Sequence, residues 1–197
     1  MISEHRRLWQ LLELVGREGF HLQGVVDRLF SDEKVDDQWV GNVIATPEGI
    51  DRLESFVGKF SRMQDTTMDK LLPAFLVAIG ERSGTALDNL NRAEKLGFVR
   101  EADAWLSMRM LRNRLVHEYV EDLTELAAAL SKARLLVPEL QYCYEAVRRY
   151  ADKHIPNDDG AGADSVRSKQ VKQTLAAMRK QINLDGDIKQ LGREGLD

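Results

Sequence analysis

The sequence predicts an all-α protein, an antiparallel up-and-down bundle of four to five core helices with an extra C-terminal helix. Three observations carry this. Apolar residues recur at spacings of three and four along most of the chain. No stretch shows the strict alternation of a half-buried strand. The 197 residues are 43% hydrophobic and 30% charged with only 4 Pro, which suits helix and is enough for an ordinary core.

The first helix starts after Ser3, a natural cap, and runs through Leu8, Leu11, Leu12, Val15, Leu22, Val25, Val26, Leu29 and Phe30. Gly16, Gly19 and Gly24 weaken it by about 0.8–1 kcal/mol each relative to Ala, so packing must stabilise it. The period breaks over 31–47. Thr46-Pro47-Glu48-Gly49 then opens a second helix over about 48–64, with Ile50, Leu53, Phe56 (or Val57) and Phe60 as its stripe. Leu71, Leu72, Phe75, Leu76 and Ile79 continue the pattern, and Pro73 inside the run predicts a kink or a restart.

Ser83-Gly84 opens a short helix with Leu87, Leu90, Ala93 and Leu96 inward and Gly97 as its stop. The next begins near Glu101 and turns Trp105, Met108, Leu111 and Leu115 to the core. The last core helix begins at Asp122 or Leu123 and reaches about Lys153, with Pro138 bending it. The bundle therefore spans 1–154. A Gly- and Asp-rich linker occupies 155–164. Residues 165–197 form an amphipathic helix and a frayed tail. In that helix Val171, Leu175, Met178 and Ile182 share a face, and Arg167, Lys169, Lys172, Arg179 and Lys180 make it basic. It either packs on the bundle or a second protomer, or serves as an arm for RNA or a protein partner.

A net charge of -4 means that any nucleic-acid contact must come from a local patch. The lone cysteine, Cys143, excludes an internal disulfide and reads as a buried thiol. No apolar run of about 18 residues exists, so no membrane span is expected. The first residues carry no signal-peptide core, and a reducing cytoplasm is the default location.

Chemistry concentrates in Arg112-Asn113-Arg114-Leu115-Val116-His117-Glu118-Tyr119. On a helix, Arg109, Asn113 and His117 fall on one strip, and Arg112 lies about 140° round from His117. Arginine is the preferred forked donor to phosphate, and histidine moves protons near neutral pH. Metal-free scission of RNA by its own 2′-hydroxyl needs those two functions, and a two-fold dimer would supply one His as base and another as acid. The same residues also suit a surface ion cluster that caps the bundle. No His or Cys lies at ligand spacing from His117, so no metal is expected. Gly-rich phosphate loops and nucleophile elbows are absent from the sequence, and no cofactor is implied.

The octapeptide resembles the Arg-x4-His-x-Tyr signature of the HepT-like toxins, helical ribonucleases of the HEPN superfamily. The stretches Gln64–Pro73 and Leu87–Gly97, with Trp105 ahead of the motif, extend the likeness over roughly residues 5–150. The resemblance implies a homodimeric bundle with metal-independent endoribonuclease activity. In that reading Arg112 stabilises the scissile phosphate, His117 is the general acid/base and Asn113 aligns the RNA, while Arg109 and Arg114 contact it. It further implies a toxin–antitoxin pair, in which a minimal nucleotidyltransferase antitoxin attaches AMP to the motif tyrosine, Tyr119. Two other readings use the same chain. One is a non-catalytic nucleotide- or substrate-binding subunit of a nucleotidyltransferase. The other is a plain helical interaction protein.

Overall fold

The computed structural model describes residues 2–30, 34–117 and 122–157; of the expected 155–164 linker only 155–157 are described, and the expected C-terminal helix lies outside the described residues. Helix α1 (Ile2–Leu29) leads to a short α2 (Asp37–Ile44) and then α3 (Pro47–Thr66). A π turn (Thr67–Leu71) joins α3 to α4 (Leu72–Ala78). Helices α5 (Ala86–Lys95), α6 (Ala102–His117) and α7 (Leu123–His154) complete the described part. It is all-α, and no strand occurs among the described residues.

The helices run up and down, as the cross-contacts show. On α1 and α3, a Cβ at Gly19 would meet Met63, while just beyond α1 Phe30 meets the earlier Phe56, so the two helices run antiparallel. On α1 and α7, Trp9 Nε1 donates to Pro156 O at 3.0 Å, and Gln141 Nε2 donates to Gln23 Oε1 at 2.6 Å. Helix α6 lies along α3 and α7. Between α1 and α7 the packing is close at Gly16, where a Cβ would meet the Tyr144 hydroxyl. Glycine there is required by the approach of the ring rather than by its own backbone.

The core is the set of stripes that the spacing predicts, with shifts. Leu8, Leu12, Val15, Leu22 and Val25 of α1 are buried, as are Phe56, Phe60 and Met63 of α3. Trp105, Met108 and Leu111 of α6 join Leu130, Ala133, Val137, Leu140 and Val147 of α7. Ile50, Leu87 and Leu96 are exposed instead of inward. In α5 the inner row is Asn89, Leu90 and Ala93, so the buried face is turned by about one position from that expected. Cys143 is buried, and desolvation pushes its thiol far above the ordinary cysteine range, which fits an inert core residue.

Local chemistry explains the ends. Thr46 Oγ1 accepts from Gly49 N at 3.1 Å with Pro47 at the first position, as a strong helix start requires. Thr85 and Asp88 form a reciprocal capping box, and Gly97 takes φ of 79° at the stop of α5. The segment read as a break holds α2, capped by Asp36 through Trp39 N at 3.0 Å. Only Trp39 and Val40 of α2 are buried, so it leaves almost no periodic trace.

Pro73 falls where the α-helix restarts, as its place in the run predicts, in the first turn of α4. It has no N–H for the Asp69 carbonyl and its ring would crowd that carbonyl. The preceding turn widens, and Leu72 N bonds Thr67 O five residues back. The chain then continues as α4.

Candidate functional site around Arg112

Helix α6 carries the motif, and the end of α3 with its π turn forms the wall opposite. Arg112 is fixed on two sides. Its Nη2 donates to Asp65 Oδ2 at 2.9 Å and its Nη1 donates to Asn113 Oδ1 at 2.9 Å. Its Nε is buried and has no partner among the described residues. One helical turn earlier, Arg109 Nη1 lies 3.6 Å from Asp69 Oδ1 and 3.9 Å from Met68 Sδ. The pairing is antiparallel, 65 with 112 and 69 with 109. The π turn begins between the two aspartates, so it sets how both meet α6.

These ion pairs are half in water. The Arg112 and Asp65 side chains are 28% and 39% exposed, so their attraction is screened and is worth at most about 1 kcal/mol in stability. What the pair does supply is direction. A guanidinium held at Nη1 and Nη2 keeps its plane fixed, and a planar fork is useful to a phosphate only when so fixed. The electrostatic balance is less favourable to an anion than the sequence suggests, because Asp65 and Asp69 offset the two arginines.

Below the pair the helix interface is polar. Gln64 is fully buried, and its Nε2 donates to Trp105 O at 3.5 Å while its Oε1 has no partner among the described residues. Ser61 Oγ, Thr67 Oγ1 and Trp105 Nε1 are buried in the same condition. Ser61, Gln64 and Thr67 are three apart, so they share one face of the rod. On its α1 side, Thr66 donates to Glu18 Oε1 at 3.1 Å. Burial raises the Glu18 carboxyl above its ordinary value, and the Thr66 bond only partly opposes this.

The sequence-predicted residues divide as follows. Arg112 and Asn113 are bonded to each other, and Arg109 lies one turn before them, paired instead with Asp69. Arg114 and His117 belong to α6, but their side chains lie outside the described residues, and Tyr119 lies outside them altogether. The sequence reading missed Asp65 and Asp69. Their signal was present: carboxylates four apart on a helix form one strip that matches arginines three apart on a neighbour. Among the described residues no three His, Cys, Asp or Glu side chains converge as a metal site needs. No described helix is long and apolar enough to cross a membrane. In comparisons with known proteins, no family, no curated protein and no solved structure matches this chain.

Proposed function

We propose that the protein is a metal-independent endoribonuclease of the HEPN type, acting as the toxin of a toxin–antitoxin pair. The observation that supports this best is the bonded Arg112, an oriented fork beside Asn113 on the helix that carries the Arg-x4-His-x-Tyr pattern. In this reading one His117 takes the proton of the RNA 2′-hydroxyl as its oxygen attacks the adjacent phosphorus. Arg112 neutralises the charge gathering on the phosphate oxygens. The bond to the 5′-oxygen breaks, and that oxygen receives a proton from His117 of a second copy of the chain. The products are a 2′,3′-cyclic phosphate and a 5′-hydroxyl. Arg109 and Arg114 flank the strand. An antitoxin nucleotidyltransferase silences the site by placing AMP on Tyr119, which adds bulk and negative charge where RNA phosphates would lie.

The test is cleavage of RNA in EDTA by wild type and by His117→Ala. Loss of one proton-transfer group lowers the rate by about 10²–10⁴-fold, whereas equal rates sink the reading. In the same assay, incubation with a nucleotidyltransferase partner and ATP adds mass in AMP units to wild type and not to Tyr119→Phe.

A second reading is favoured by the two carboxylates that neutralise Arg112 and Arg109. In it the cluster is a structural clasp, and the chain is a binding subunit or helical interaction protein without catalysis. Inactivity of wild type towards RNA, with intact folding, selects it.

A further inference from the structure

A cavity of about 610 Å³ opens between the end of α1, α2 and the start of α3. Its volume falls inside the range of about 300–1,000 Å³ usual for small-molecule sites. Three cations from three separate segments line it: Arg28 from α1, Lys34 from the connector and Arg52 from α3. None of the three is ion-paired to another described residue. This contrasts with Arg109 and Arg112, whose charges are answered. The positive end of the 20-residue α3 adds to the same field.

The remaining lining narrows the ligand. Two carboxylates are present, Asp36 and Glu48. Asp36 is engaged as the cap of α2. Glu48 is exposed in the first turn of α3 and would repel a bare phosphate. A ligand that carries hydroxyls beside its phosphate turns Glu48 into an acceptor, as a carboxylate does for a ribose. The Asn42 amide and the largely buried Trp39 indole give the wall polar and aromatic ground for a base. Trp39 is held rigid by stacking on Phe30, with centroids 5.5 Å apart.

We propose that this cavity is a nucleotide site: Arg28, Lys34 and Arg52 take the phosphate, Glu48 the ribose hydroxyls, and the Trp39 and Asn42 wall the base. It stands apart from the ribonuclease reading. Arg52 and Asp65 are 13 positions apart on α3, which is about 20 Å along the axis. The occupant is a nucleoside monophosphate unit, either free or as part of an RNA strand.

The experiment is calorimetric titration of the full-length protein with AMP, with inorganic pyrophosphate and with a short single-stranded RNA. One AMP binds per chain. Arg28→Gln combined with Arg52→Gln weakens it at least about tenfold, since two charge-assisted bonds are lost. Both positions are exposed, and an unchanged circular dichroism spectrum confirms the fold. Glu48→Gln weakens AMP and strengthens pyrophosphate. Competition between AMP and RNA assigns the site to a strand, and its absence assigns it to the free nucleotide. His117→Ala binds AMP as wild type does, so failed cleavage and failed binding are separate results. No AMP binding, or equal affinity in the double variant, overturns the proposal. Equal effects of Glu48→Gln on AMP and pyrophosphate overturn the ribose assignment.

Discussion

The stretch of α3 up to Phe60 and the stretch from Ser61 onward differ in what they turn to the core. On its core side the first stretch is well packed. Thr46 caps it, Phe56 and Phe60 bury fully, and Phe30 meets Phe56 edge-on with centroids 4.8 Å apart. From Ser61 on, Ser61, Gln64 and, at the start of the π turn, Thr67 face inward with polar atoms that have no partner among the described residues. Such features lower local stability, and π turns are often found at functional sites. The difference teaches how the core side of one rod changes along its length: the polar stretch is the one that touches Arg112 and Arg109.

Four measurements break or sharpen that contrast. Phe60→Ala in the apolar stretch costs about 3–5 kcal/mol in denaturant unfolding, because a fully buried ring leaves a cavity. A cost below that of ordinary surface changes would erase the distinction. Asp65→Asn in the polar stretch acts on function more than on folding. RNA cleavage falls by about tenfold as Arg112 loses its orientation, while stability shifts by no more than about 1 kcal/mol. A large stability loss with activity retained would make Asp65 a clasp.

Glu18 gives a pH signature. Its carboxyl is raised in the folded state, so the native protein holds that proton more tightly than the unfolded chain. Its contribution to stability is therefore greatest at low pH and declines as pH rises from the ordinary glutamate range through the raised value. Thermal melts of Glu18→Gln show a shallower decline over that window, and parallel curves would remove Glu18 from the account. The smallest effect is Gln64→Leu, which replaces a half-satisfied buried amide by an apolar side chain. Stability changes by less than about 1 kcal/mol or rises. A loss comparable to Phe60→Ala would show that the amide is fully used.

Long periodic helices were legible in the sequence because each repeats its signal many times. Leu8 to Val25 and Leu130 to Val147 are examples, and both stripes are buried. Caps were legible where the chemistry is local, as at Thr46-Pro47 and Gly97. Helix α2 was not, because eight residues with two buried side chains hold no period. Leu87 and Leu96 misled because apolar type outweighed the buried Asn89, whose side chain is engaged by Ser83 and Gly84. At the site, Arg112 and Asn113 announced themselves by crowding. Asp65 did not, because its partner is 47 positions away and only the packing of α3 on α6 joins them.

The π turn has a consequence for the numbering of the rod itself. A five-residue hydrogen-bonded step holds one residue more than a straight ladder would take. Between Thr66 and Leu72 the rod thus takes up one residue more than an α-helical step would, without looping it out. Everything before it, Asp65 included, keeps one rotational phase, and everything after it, with Leu72, Phe75 and Leu76 in the core, keeps another. The turn acts as a phase shifter. It lets Asp65 follow the demands of α6 while the apolar stripe from Leu72 onward stays aimed inward.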